Sequence, residues 1–132
     1  MGSLRNAEIP AIGNVLRAAG HEVFDDWHGA GPYADDEWQR YETERGRTFA
    51  EALAGHACAN IVGFDQGYLD EADLGVLVMP AGKSAHMELG YLIGKRTPCF
   101  VLFPEPPERY DAMYRLGAQV VFSVDELIER LK

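Results

Sequence analysis

The sequence predicts a three-layer α/β domain with a mostly parallel sheet. Short apolar segments alternate along the chain with segments that carry apolar residues at helical spacing. Two of the apolar segments, residues 74–79 and 98–103, show no alternation of polar and apolar side chains, which is typical of parallel strands covered on both faces. The chain has 132 residues, 47% of them hydrophobic, and no linker or repeat divides it. We therefore expect a single domain over residues 1–132.

The first half of the chain is predicted to be mainly helical. Apolar residues at helical spacing indicate a helix over residues 8–19, and Gly20 is a natural stop for it. The segment HEVF, residues 21–24, is predicted to form a short strand. Apolar residues then recur on one face of a long helix over residues 34–55. A shorter helix is predicted over residues 66–71.

Strands and helices alternate regularly in the second half. The last helix begins with Ser123 and Glu126, which have the spacing of a capping box. The predicted strands are residues 74–79, 98–103 and 119–122, and the predicted helices are residues 85–94, 110–116 and 123–132.

No strand precedes the first predicted helix. In a doubly wound sheet, the strand before the first helix normally lies in the middle of the sheet. Two interpretations stay open: either the chain begins after that strand, or this protein fills the position in another way.

Charge and composition exclude several classes of function. The net charge of −9 disfavours nucleic acid polymers as partners, because these require clustered Lys and Arg. A small anionic ligand stays possible, since a few oriented donors act locally. No apolar run approaches the ~18 residues of a membrane span, and no secretory signal is present. Cys58 and Cys99 lack metal-type spacing. We expect a cytoplasmic protein that uses neither a metal nor an organic cofactor.

Glu88 is the strongest candidate for a catalytic residue. It lies between Met87 and Leu89 at the start of a predicted helix, directly after an apolar strand. Open α/β proteins place their chemistry at this point. If Ser84 is the N-cap, Glu88 is the fourth helical residue, so capping does not explain it, and the helix N-terminus would help to keep it ionised. An ionised carboxylate suits nucleophilic attack on carbon, but an ordinary surface glutamate is an equally good interpretation.

Other candidate residues surround this segment in the sequence. Asp65 follows an apolar run and could supply the second carboxyl group that glycoside chemistry requires, although most acids nearby are solvated charges on a helix. The GSLRN loop at residues 2–6 and the AGKS loop at residues 81–84 are candidate anion cradles, although such loops are also common as helix caps. Asp26 and Trp27 are candidate substrate-binding residues, with Trp27 able to stack on a base or sugar.

Together these residues resemble the nucleoside 2-deoxyribosyltransferase family, which includes the nucleoside 5′-monophosphate N-glycosidases. The most specific part is DLGVLVMPAGKSAHMELGY, residues 73–91, with Asp65 upstream and GSLRN at the start. The resemblance extends from Gly2 to about Phe122. It implies a flavodoxin-like or Rossmann-like fold and a homodimer or higher homo-oligomer whose active sites borrow residues from a neighbouring subunit.

The resemblance also implies a role for each matching residue. Glu88 occupies the position of the nucleophile that attacks the anomeric carbon. Asp65 matches the aspartate that acts on the sugar or helps to protonate the base. The residues that would hold a 5′-phosphate or line the substrate site are Gly2, Ser3, Arg5, Gly82, Ser84 and His86.

The chain departs from the family in two places. Members normally have a strand before the GS pair, often with an aromatic residue that approaches the substrate. The loop before Glu88 is GKSAHM here and is richer in glycine in better-known members. The expected function is cleavage of the N-glycosidic bond of a (deoxy)nucleoside or nucleoside monophosphate, with transfer of the sugar to another base or to water. A nucleotide-binding or sensing module without turnover, and a structural α/β domain, are the alternatives.

Overall fold

The computed structural model describes residues 1–132 and contains a sheet of three parallel strands. The strands are β1 (Gly75–Val78), β2 (Cys99–Leu102) and β3 (Gln119–Val121), and they lie in the order β1-β2-β3. Both neighbouring pairs are parallel. The prediction of an α/β domain with a parallel sheet is therefore confirmed. All three strands fall within the segments predicted as strands.

Six α-helices pack around this sheet or extend from it. They are α1 (Ile9–Ala18), α2 (Ala34–Glu44), α3 (Phe49–Leu53), α4 (His56–Glu71), α5 (Lys83–Gly94) and α6 (Val124–Leu131). Two short 3₁₀ turns, Asp26–Ala30 and Ala112–Leu116, lie between them. None of these helices is long and apolar enough to cross a membrane.

Apolar side chains cover both faces of the sheet, which explains why β1 and β2 show no alternation in the sequence. On one face, residues of α1 and α6 pack against alternate strand residues: Ile9, Ile12, Leu16, Val78, Phe100, Leu102, Val121 and Leu127. On the other face, residues of α5 pack against the remaining strand residues: Leu77, Ala85, Leu89, Leu92, Cys99, Val101 and Phe103. The sheet is the middle of three layers.

The prediction of one long helix over residues 34–55 is wrong, because this segment forms two helices. α2 ends at Glu44, and Gly46 adopts a positive φ of 69° that a helix cannot contain. Thr48 then caps α3 through a capping box with Glu51, each side chain bonding to the other residue's backbone N–H. Apolar residues keep their helical spacing across this break, so sequence periodicity does not reveal it.

The helix α4 is longer than the segment 66–71 that periodicity predicts. It begins at His56 and has no buried residue. Its apolar side chains are distributed around the helix, and Ile61, Val62 and Phe64 are exposed. A helix of this kind has no single apolar stripe, so sequence periodicity does not reveal it.

The predicted strand HEVF is not a strand in the structure. Residues 21–25 belong to no helix or strand, and the sheet ends at β1. A strand requires a neighbouring strand to pair its backbone groups. The place beside β1 is occupied only by Met1, whose amino group donates to the Val76 carbonyl (2.8 Å) and whose carbonyl accepts from the Val78 N–H (3.0 Å).

Candidate functional site

Glu88 lies in the second turn of α5 and not in its first. The helix begins at Lys83, with Gly82 as the N-cap and no side-chain cap. The expectation that Ser84 is the N-cap is therefore wrong, because Ser84 is already inside the helix. Glu88 is consequently the sixth helical residue, beyond the first turn in which the helix dipole stabilises a negative charge. Its half-buried side chain faces a cavity along β1.

Asp65 reaches the same cavity from α4. The cavity has a volume of about 580 Å³ and is lined by Asp65, Glu88 and residues of β1 and α1. Burial raises the pKa of the Asp65 carboxyl group. Burial also raises the pKa of Glu88, the Met1 ammonium opposes that shift, and the nearby Asp65 charge adds to it. The structure thus brings together the two carboxyl groups that the sequence could only propose as a pair.

The pKa shift of Glu88 runs against the sequence-based expectation. A helix N-terminus would favour the ionised form, but loss of water around the side chain favours the protonated form. The second-turn position explains why burial prevails over the helix dipole. The Asp65 charge also opposes ionisation of Glu88, and its effect is smaller than that of burial.

Segment 21–27 forms a further wall of the cavity and includes Asp26 and Trp27. It is held by Asp25, which forms an ion pair with Arg17 of α1. Arg17 also donates to the Val23 carbonyl (3.2 Å). Gly13 makes this approach possible, because a Cβ at that position would overlap with the Asp25 carboxylate. Trp27 is half-buried and packs against the core.

The Met1 amino group lies beside the carboxyl groups of the cavity, a placement that the sequence did not indicate. It lines the cavity, and burial lowers the pKa of this ammonium while the Glu88 and Asp25 carboxylates oppose the shift. The Met1 ammonium balances part of the charge of these two acids. Asp25 was also missed as a site residue, and the glycine at position 13 of an otherwise regular helix was the available signal.

The residues expected to hold a phosphate at the N-terminus lie outside this cavity. Arg5 is exposed and pairs with Asp36 of α2 (3.3 Å). The Ser3 hydroxyl accepts a hydrogen bond from the Arg5 N–H (3.1 Å), so it stabilises the local turn. Gly2 packs tightly, since a Cβ there would lie 2.7 Å from Ile9 and 3.5 Å from Trp27.

The residues at the start of α5 also lie outside the cavity that contains Glu88. Gly82 and Ser84 are exposed. The His86 Nδ1 donates to the Gly82 carbonyl (2.7 Å), and its Nε2 lies within hydrogen-bonding distance of the Tyr114 hydroxyl (3.0 Å). The two predicted anion-binding loops therefore do not line the cavity in which the carboxyl groups meet.

A second cavity, of about 440 Å³, lies between α2, α3 and Ser84. Its wall contains Glu42, which is only 2% exposed and accepts a hydrogen bond from Arg47 (2.7 Å). The other Glu42 oxygen and the Trp38 indole N–H have no protein partner. Trp38 is half-buried, and nothing in the sequence distinguished Glu42 from the other acids of α2.

Comparisons with protein-family models, with curated proteins and with solved structures give no match to this chain. No group of three or more His, Cys, Asp or Glu side chains is arranged to hold a metal ion.

Proposed function

We propose that this protein is an enzyme with a Rossmann-like or flavodoxin-like fold that cleaves the N-glycosidic bond of a (deoxy)nucleoside or nucleoside monophosphate. The observation that supports this most strongly is the meeting of Glu88 and Asp65, from two different helices, in one cavity beside Trp27. Enzymes that cleave glycosidic bonds use paired carboxyl groups in a desolvated site, one ionised as the nucleophile and one protonated as the general acid.

In the proposed reaction, a Glu88 carboxylate oxygen attacks the anomeric carbon while the bond from that carbon to the base nitrogen breaks. Asp65 donates a proton to the departing base, for which its raised pKa suits it. A covalent glycosyl-enzyme intermediate results. Water or a second base then attacks the anomeric carbon, the bond to Glu88 breaks, and Asp65 recovers a proton from the attacking group. The Met1 ammonium favours the ionised form of Glu88.

The direct test is release of free base from deoxynucleosides and their 5′-monophosphates, measured by chromatography. Glu88→Gln should lower the rate by at least about 10³-fold, because the nucleophile is lost while the shape is retained. Asp65→Asn should lower the rate by about 10²–10⁴-fold, the usual contribution of a general acid. Glu44→Gln, an exposed acid at the end of α2, is the matched control and should leave the rate unchanged. Equal rates for the Glu88 and Glu44 variants would refute the assignment.

Variants of Arg5 test whether the substrate carries a 5′-phosphate. Arg5→Ala should weaken action on monophosphates far more than action on nucleosides if the guanidinium binds the phosphate. Asp36→Ala is the companion variant, because it removes the partner of Arg5 and leaves the cation in place. Equal effects of Arg5→Ala on both substrate types would count against a phosphate role.

A homo-oligomer is part of this proposal. Exposed apolar side chains on α3 and α4 support it: Phe49, Leu53, Ile61, Val62, Phe64 and Tyr68. Large apolar side chains that are exposed together in this number are typical of interaction surfaces. Light scattering during size-exclusion chromatography should give at least twice the monomer mass, and Ile61→Lys should lower it.

A nucleotide-binding module without turnover is the second candidate. The separation of the phosphate-binding candidates Arg5 and Ser84 from the Glu88 cavity favours it. Nucleotide binding measured by calorimetry, with no base released over hours, would support this alternative against the enzyme.

A further inference from the structure

Three polar side chains join the C-terminal half of α4 to α5: Asp70, Tyr91 and Lys95, which we call the interhelix cluster. The Asp70 carboxylate of α4 accepts one hydrogen bond from the Tyr91 hydroxyl and one from the Lys95 ammonium, both at 2.5 Å. Lys95, the C-cap of α5, also donates to the Asp70 carbonyl (3.3 Å). The bonds from Lys95 and Tyr91 hold the pKa of the Asp70 carboxyl group below its ordinary value, so Asp70 is ionised at neutral pH.

The helix α4 has few apolar contacts that could fix its position without this cluster. No residue of α4 is buried. Leu69 is half-buried against the core on the α5 side of the sheet, and Tyr68 stacks on Phe24 with ring centroids 3.6 Å apart. All the side-chain hydrogen bonds between α4 and α5 include Tyr91 or Lys95. The interhelix cluster is therefore the main polar connection between the two helices.

The interhelix cluster and the carboxyl pair of the candidate site lie along the same line of contact between α4 and α5. Glu88 precedes Tyr91 by three residues and Lys95 by seven, so the three side chains share one face of α5 over about 10 Å. On α4, Asp65 comes directly before Gln66, which also donates to the Tyr91 hydroxyl (3.4 Å). A movement of α4 that broke these bonds would therefore also move Asp65 relative to Glu88.

We infer that Asp70 is a positioning residue for the proposed reaction: through Tyr91 and Lys95 it fixes α4 in the position that places Asp65 near Glu88. This inference rests on the proposed function, since the placement affects a rate only if the two carboxyl groups carry the reaction. None of the three residues of the interhelix cluster lines the cavity, so they act through Asp65 and not on the substrate. Misplacement of a reacting group by about 1 Å can lower a rate by about 10²-fold.

The kinetics of base release test this role. Asp70→Ala removes the acceptor of both bonds and retains helix propensity, so it should lower kcat by about 10–10²-fold and change KM less than about twofold. Tyr91→Phe removes one bond and keeps the ring, so its loss of kcat should be smaller. Lys95→Arg keeps the ion pair and should retain the parent kcat, whereas Lys95→Met should lower it. Glu129→Gln is the matched control, because it breaks an exposed pair of the same length with Lys132 (2.5 Å) and should leave kcat unchanged.

NMR titration of the carboxyl carbons of Glu88 and Asp65 gives a readout that does not require activity. Burial raises the pKa of both groups; for Glu88 the Met1 ammonium opposes the shift and the Asp65 charge adds to it. If α4 moves away from α5 in Asp70→Ala, water enters the cavity and the carboxyl groups separate. Both pKa values should then fall by at least about half a pH unit, and Glu129→Gln should leave them unchanged.

Unchanged pKa values of Glu88 and Asp65 in Asp70→Ala would overturn the inference, whether or not the protein releases base. Equal kcat values for Asp70→Ala and Glu129→Gln, in a protein that releases base, would also overturn it. A parent protein that releases no base refutes the proposed function instead. In that case the pKa values measured in Asp70→Ala still decide whether the interhelix cluster fixes the position of Asp65.

Discussion

Replacing Gly13 by alanine tests how the wall of the candidate site is held against α1. A Cβ at position 13 would overlap with a carboxylate oxygen of Asp25, and it would lie 3.1 Å from the Asp25 Cγ and 3.2 Å from the Arg17 Nη1. The Asp25 side chain is mostly buried and is held by the Arg17 guanidinium. The new methyl group must therefore displace a carboxylate that is already fixed by an ion pair.

The change in the free energy of unfolding caused by Gly13→Ala is the sum of two opposing effects. Glycine to alanine inside a helix stabilises by about 0.5–1 kcal/mol when the methyl group has space. Overpacking typically costs about 1–3 kcal/mol. The ion pair contributes little beyond this, because Arg17 is 41% exposed on its side chain and solvent screens the pair. We expect Gly13→Ala to destabilise the protein by about 1–2 kcal/mol.

Gly63→Ala is the matched control. Gly63 also lies inside a helix, α4, but no atom lies within 4 Å of its Cβ position. This variant should be more stable than the parent by about 0.5–1 kcal/mol. Urea unfolding followed by tryptophan fluorescence measures both variants, and Trp27 reports directly on the displaced segment. The two variants should differ by roughly 2 kcal/mol in their free energies of unfolding.

Equal stabilisation by the two alanines would refute this reasoning. It would mean that segment 21–27 moves away from α1 without cost, and that Asp25 does not hold the wall of the cavity in place.

Three further outcomes are expected. Glu88→Gln should stabilise the protein at neutral pH. The pKa of Glu88 is raised in the folded state, so this carboxyl group costs stability as pH rises from its ordinary pKa of 4.5 through its folded pKa. The gain from Glu88→Gln should therefore vanish in urea titrations below about pH 4. Arg47→Met should lower the free energy of unfolding measured in urea, since it leaves the buried Glu42 carboxylate without its partner, and an unchanged free energy of unfolding would contradict that role. Gly75→Ala should lower the free energy of unfolding by about 1–3 kcal/mol, because its Cβ would lie 2.6 Å from a Leu92 methyl group. An unchanged melting temperature would show that the Leu92 side chain moves aside without cost.

The strands and the helices beside them follow from local sequence. The apolar run at 74–79 contains β1, and Ser123 caps α6 as its spacing predicts, by accepting a hydrogen bond from the Glu126 N–H (3.0 Å). The Glu126 carboxylate accepts from Phe122 and not from Ser123, so only half of the capping box forms. Local patterns succeed here because caps and buried runs depend on neighbours in the chain.

Features that depend on distant parts of the chain were not predictable. The segment 21–24 has the composition of a strand, but a strand also requires a partner that the sequence cannot place. Glu42 is buried because Arg47 folds back to pair with it across the break between α2 and α3. In the same way, the sequence could only propose Asp65 and Glu88 as a pair, and it is the packing of α4 near α5 that places both in one cavity.

Mass spectrometry can show whether Glu88 accepts the sugar when the N-glycosidic bond is cleaved. The protein is incubated with a deoxynucleoside or its 5′-monophosphate, quenched in acid and digested, and free base is measured in parallel. We expect base release together with a peptide that contains Glu88 and is heavier by one deoxyribosyl or deoxyribosyl phosphate group. Neither product should form with Glu88→Gln. Base release that persists undiminished in Glu88→Gln, or a sugar attached to a different residue, would contradict it.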